Sequence, residues 1–196
     1  MPDYIELDLN DLMKSSGLPD PVMYQYYNNL NNNTIIINTE IDDSILEWAI
    51  IPLIQMDTNP AIDEINIILN SCGGDIYNGF AFISALEKVT KKTTLRIMGV
   101  AASMGGLIAM AKNPNLHVIC DKFSVGLIHS GSQYMEGSTH AVRDTFKFSE
   151  RYEQKIKDYI ISHTKIDEQM YSQIERQEFW MDADDMLKYG IVDEII

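Results

Sequence analysis

Cysteine is nearly absent: Cys72 and Cys120 are the only two in 196 residues. Two thiols cannot form a disulfide framework, so the fold must rest on a buried apolar core, and a reducing cytoplasm is the expected setting. Positive charge is also scarce, with 15 Lys and Arg against 29 Asp and Glu, a formal net charge of -14. Without a basic stripe to hold either one, no nucleic acid and no membrane surface is expected as a partner. Long apolar runs are missing too: the longest small, apolar stretch, Gly99 to Ala111, is too short to cross a bilayer. The opening Met1-Pro-Asp-Tyr-Ile-Glu6 lacks a basic region followed by an apolar one, so no secretory signal is expected. Neither a Gly-x-Gly-x-x-Gly turn nor a phosphate loop ending in Lys-Ser/Thr is present. No organic cofactor and no metal is expected.

What is present suits a globular enzyme. Hydrophobic residues make up 45% of the chain, enough to bury a full core without staples. Strands are predicted at 34–38, 65–69, 95–100, 116–120 and 125–129. They alternate with helices near 42–57, 76–89 and 103–111. Alternating βα units predict an α/β fold with a mainly parallel sheet, and no composition break divides it.

One serine stands at a chemically favourable junction. Ser103 lies between the β run Leu95 to Val100 and a small-residue helix beginning Met104-Gly-Gly. At a helix N-terminus the free N–H groups and the positive dipole end favour an oxyanion forming beside the hydroxyl. A serine before a helix is ordinarily only an N-cap, so other residues must carry the argument. Ile67-Ile-Leu-Asn-Ser-Cys-Gly-Gly-Asp75 ends a strand in two glycines, which let backbone approach a ligand closely. Phe123-Ser-Val-Gly-Leu-Ile-His129 ends another strand in an imidazole, a base suited to taking a hydroxyl proton near neutral pH. His117, His140 and His163 sit at a turn, a helix start and a helix end, and fit that role less well. A carboxylate should orient the base. Cys72 is an alternative nucleophile, but it lacks a base at motif spacing.

Five segments together resemble the Clp protease proteolytic-subunit (ClpP) family: Asn70-Ser-Cys-Gly-Gly74, Ala101-Ala-Ser-Met-Gly105, Ile128-His129, Glu178-Phe-Trp-Met-Asp182 and Tyr189-Gly-Ile-Val-Asp-Glu194. The resemblance runs from about Pro21 to Ile196. It implies a ClpP/crotonase-like superhelix of ββα units and a serine endopeptidase acting on unfolded polypeptides. By the same resemblance Ser103 is the nucleophile, His129 the base and Glu178 the acid. The backbone N–H groups of Gly74 and Met104 form the oxyanion hole. Glu178 stands where the family usually has Asp, and the loop after Gln173-Ile-Glu-Arg176 is shorter than usual. Asp182 and Asp185 are back-up acids, although both also suit the first turn of a helix.

The resemblance also bears on assembly. Val142, Phe146, Tyr152, Ile156, Tyr159 and Ile160 form a stripe at helical spacing over 139–163. That stretch corresponds to the projecting handle helix that joins two stacked heptameric rings, with Gly131 to Gly137 expected as a neighbouring strand that pairs with substrate. Polypeptide substrates, a homo-oligomer and a separate AAA+ unfoldase are the implied partners; any ATP would be consumed by the unfoldase. Three departures stand out. Gln177 occupies the place of the family's ring-contact Arg, with Arg176 one residue earlier. Ser130-Gly131 replaces Gln-Pro, and Met1 to Asp20 diverges from the family's amino end. Glu178 and the altered contact residues keep open a catalytically weak or inactive structural subunit of the same fold, and a viral prohead-processing protease of that fold is a second alternative. A crotonase-fold hydratase or isomerase is a further one, which coenzyme A binding would distinguish.

Overall fold

The computed structural model describes residues 20–196. Residues 1–19, most of the divergent amino segment, lie outside the described residues. Helix α1 (Pro21–Asn31) opens with proline at its first position, and the Asp20 carboxylate accepts from the Val22 and Met23 N–H groups. Strand β1 (Thr34–Ile37) follows, then a π-helical turn (Leu46–Ile50) running into α2 (Ile51–Thr58). The predicted helix at 42–57 therefore starts four residues late. The Asp42 carboxylate turns back to the Ser44 hydroxyl and N–H, which competes with helix start.

β2 (Glu64–Ser71), α3 (Ile76–Leu86), β3 (Lys92–Ala102), α4 (Met104–Ala109), β4 (Leu116–Cys120) and β5 (Val125–Ile128) come next. The long α5 (Thr139–His163), then α6 (Glu168–Ile174), β6 (Phe179–Met181), α7 (Ala183–Lys188) and β7 (Glu194–Ile195) complete the chain. β1, β2, β3, β4 and β7 lie side by side in that order, and each neighbouring pair is parallel. Helices pack on this sheet, giving a mixed α/β fold with a mainly parallel sheet.

β3 is the element that sets the site. Its first half, Thr93 to Ile97, pairs with β4, while Val100 to Ala102 pair with β5. Gly99 sits at the change of partner with φ 107°. A β-carbon there would lie 2.6 Å from the Asn70 side-chain oxygen, which fills the irregularity in β2 and accepts from the Val100 N–H at 3.0 Å. On the other side the buried Ser124 hydroxyl accepts from the Gly99 N–H and donates to the Ile97 carbonyl. The bend thus has its backbone groups satisfied, and β3 turns toward β5. β5 then pairs antiparallel with β6, so the two strands branch from β3 within the same seven-stranded sheet.

α5 spans the predicted 139–163, and the Ser138 hydroxyl accepts from the Ala141 N–H at its start. Only Ile160 is fully buried. Tyr152 and Tyr159 pack edge-on against Phe80 of α3, whereas Phe146, nearer the amino end, is 53% exposed. The carboxyl half of the helix is therefore docked on the body and the amino half stands clear of the core. Residues 131–137, expected as a strand, form none. Gly131 takes φ 75° and Gly137 φ 138°, the stretch is largely exposed, and no strand among the described residues lies beside it to pair.

Candidate active site

Ser103 connects β3 to α4 with φ 54° and ψ -120°, a backbone conformation that costs a non-glycine residue on the order of 1–3 kcal/mol. Its side chain makes no capping hydrogen bond, so the ordinary N-cap role is not what this serine performs. The Ser103 N–H donates to the Leu127 carbonyl at 2.9 Å and ties the turn to β5. Small residues let α4 sit this close. A β-carbon on Gly105 would lie 2.9 Å from the Ser71 carbonyl, and one on Gly106 would lie 2.9 Å from the Leu127 carbonyl. Strain held at a tight strand-to-helix turn, with the hydroxyl unengaged, is the geometry that presents a nucleophile.

The double glycine lies against this turn. A β-carbon on Gly73 would lie 2.6 Å from the Ser103 β-carbon and 3.0 Å from the Met104 nitrogen. Ile41 donates to the Gly73 carbonyl at 2.7 Å, and Asp75 donates to the Ile41 carbonyl at 2.6 Å. That parallel bridge turns the N–H of Gly74 itself away from Ile41. A side chain at Gly74 would collide with the Ile41 backbone, and Gly74 has φ 142°. The buried Ser71 hydroxyl holds the loop, donating to the Thr39 carbonyl at 2.6 Å and accepting from the Gly73 N–H at 3.2 Å. Met104 is the first residue of α4, where an N–H has no acceptor within its own helix. Its side chain is buried against Gly79 of α3, which anchors the helix start.

His129 follows β5 directly, beside the end of β3, so the imidazole and Ser103 stand on adjoining parallel strands. Its Nε2 is buried and has no hydrogen-bond partner. Such an atom is uncommon in a folded protein and marks a place reserved for another group. The β5/β6 register pairs Gly126 with Met181, Leu127 with Trp180 and Ile128 with Phe179. The ladder ends there, and His129 and Glu178 are the next residue on either strand, so its register continued by one residue would set them opposite each other. Glu178 is exposed, and its Oε2 accepts from the Trp180 indole N–H at 3.2 Å. No hydrogen bond joins Glu178 to His129 here, nor His129 to Ser103.

The other candidates fall elsewhere. Asp182 caps α7 by accepting from the Asp185 N–H at 2.9 Å. His117 contacts Asp193 and Glu194 at the sheet edge. His163 stacks on Tyr159 and contacts Glu87 at 3.1 Å. His140 lies in the first turn of α5. Cys72 is exposed, while Cys120 is buried and its thiol is pushed up to about 11 by desolvation. Gln177 donates to the Gln173 carbonyl, and Arg176 reaches only its neighbour Glu175. Sequence reasoning missed two contacts. One is the indole bond to Glu178, signalled only by a tryptophan two residues after the acid. The other is the Tyr159 hydroxyl, which donates to the Leu107 carbonyl in α4 at 3.2 Å and links α5 to the helix that follows Ser103.

A parallel α/β sheet with a strained serine after one strand, a histidine after the strand paired to it and glycine-rich backbone against the serine is compatible in layout with a serine hydrolase. The Clp protease family profile matches residues 19–196. The chain belongs to the Clp protease family, whose members are serine endopeptidases. It is 29% identical over 181 residues to an ATP-dependent Clp protease proteolytic subunit of Streptococcus mutans, covering 88% of this chain and 89% of that one. A subunit of the same name from Deinococcus radiodurans is 23% identical over 174 residues, covering 88% and 85%. ATP-dependent Clp protease proteolytic subunit 1 of Salinibacter ruber is 24% identical over 167 residues, covering 85% and 71%. Among the described residues no helix is long and apolar enough to cross a membrane.

Proposed function

We propose that residues 21–196 act as one peptidase domain, cutting unfolded polypeptides inside an oligomeric chamber in the cytoplasm. Ser103 is the nucleophile, His129 the base and Glu178 the acid. His129 Nε2 takes the hydroxyl proton as Ser103 Oγ attacks the peptide carbonyl. The N–H groups of Gly74 and Met104 receive the charge that develops on the carbonyl oxygen. His129 then passes the proton to the leaving amine, and water releases the acyl group by the same route in reverse. Glu178 keeps the imidazole oriented and stabilises its charged form. The observation that carries this reading is the strained Ser103 turn, whose hydroxyl is left unengaged beside a buried and unpartnered imidazole nitrogen. Two stacked heptameric rings joined through α5, fed by an AAA+ unfoldase, are the assembly proposed.

Turnover of a fluorogenic peptide and of unfolded casein tests this. Ser103→Ala is expected to abolish both. Glu178→Gln is expected to lower turnover by up to about 10⁴, the loss seen when a serine protease's imidazole lacks its carboxylate. Activity retained in Ser103→Ala would overturn the assignment. The glutamate at the acid's position and Gln177 at the ring-contact position favour a second reading, a structural subunit that assembles without cutting. A fully assembled wild type that cleaves neither substrate would support it.

A further inference from the structure

We propose that Trp180 is a positioning residue for the acid: its indole N–H holds one oxygen of Glu178 so that the other faces His129. The inference rests on the reading of Glu178 as the acid partner of His129. Glu178 and Trp180 are two residues apart along one extended segment, so their side chains leave the same face. On that face Trp180 lies opposite Leu127, and the continued register puts Glu178 opposite His129. The two contacts differ in how firmly their backbone is held. Trp180 is the central residue of the β5/β6 ladder, whereas Glu178 precedes its first paired residue.

A glutamate has one more rotatable bond than an aspartate and loses more freedom when fixed in one geometry. An exposed glutamate at a strand end therefore needs an external hold to keep an oxygen on the imidazole. The indole supplies it through the bond to Oε2 at 3.2 Å, leaving Oε1 available. Packing does not account for this tryptophan, which is 53% exposed while its neighbours Phe179 and Met181 turn to the buried side. With Oε2 engaged, Oε1 is the oxygen left to accept from the His129 Nδ1–H in the working enzyme, a bond this structure does not yet hold. That fixes the tautomer in which the buried Nε2 carries the free lone pair for the Ser103 proton.

Trp180→Phe keeps the ring and removes the donor. The assembled enzyme with this change is expected to show kcat lower by about threefold to tenfold with KM unchanged, the net worth of one hydrogen bond. Its acidic pH limb should move to lower pH, because a carboxylate held less firmly stabilises the imidazolium less. Glu178→Gln should move kcat and the limb further in the same direction, and Trp180→Phe added to it should cost nothing more. Wild-type kcat and pH profile in Trp180→Phe would overturn the proposal while leaving the acid assignment intact. Wild-type behaviour in Glu178→Gln would instead overturn that assignment. A rise in KM alone, or additive losses in the double variant, would make Trp180 a substrate contact and also overturn the proposal. The two tryptophans, Trp48 and Trp180, allow a readout that does not require the Phe variant to fold. The ¹⁵N-indole resonance of Trp180 should shift in Glu178→Gln and stay put in Ser103→Ala; an unmoved resonance in Glu178→Gln would overturn the contact.

Discussion

Cys72 and Cys120 are the same residue in opposite settings. Cys72 is exposed one residue before the double glycine, and Cys120 is sealed at the end of β4 with its thiol pushed up to about 11 by burial. Since the thiolate is the reactive form, iodoacetamide at pH 8 should add one group to the native subunit, at Cys72, and two after denaturation. Two additions to the native subunit would contradict the burial of Cys120. The same contrast explains which residues were legible in the sequence. Ser103, His129 and the glycines announce themselves because their motifs end strands or begin helices. Glu178 is proposed as the acid through the resemblance carried by the Phe-Trp-Met that follows it. Asp182 and Asp185 compete with it in sequence, and the structure engages the Asp182 carboxylate in capping α7 at the Asp185 N–H. The hold of Trp180 on Glu178 was not legible, since a side-chain bond across an exposed face leaves no periodic trace.

At the scale of elements, the Gly73 loop and the start of α4 behave as one unit. Gly73→Ala would place a methyl group within 2.6 Å of the Ser103 β-carbon, on a backbone with φ 106°. Overpacking and strain of this kind cost about 1–3 kcal/mol each. The variant should melt several degrees lower and lose peptidase activity by more than its residual folded fraction explains; an unchanged melting temperature and turnover would contradict the close approach. Helix α5 was legible to the residue because its stripe and the Ser138 cap are local signals. The bend of β3 was not, because it depends on Asn70 and Ser124, each more than twenty residues away. The expected strand at 131–137 failed for a related reason: a strand is defined by a partner, and this chain supplies none there.

The whole molecule carries apolar surface that its own core does not use. Phe146 and Phe148 on α5 are 53% and 42% exposed, and Val22, Tyr24 and Ile54 on the first two helices are 72%, 63% and 52% exposed. Phe148 leans on Tyr77 of α3, whereas Phe146 lies on the amino half of α5 with no aromatic neighbour on the body among the described residues, and that half is the one the proposed ring contact uses. Phe146→Asp should therefore yield a smaller particle in sedimentation velocity, with unchanged far-ultraviolet circular dichroism. An unchanged particle would remove α5 from the proposed contact.

The central claim is that Ser103 is an activated nucleophile. Intact mass of the native protein after exposure to a fluorophosphonate tests it most directly, with Ser103→Ala alongside. The account predicts one adduct per subunit, absent in Ser103→Ala and slower to form in Glu178→Gln. An assembled, folded wild type that takes up no label, or a label that persists in Ser103→Ala, would contradict it.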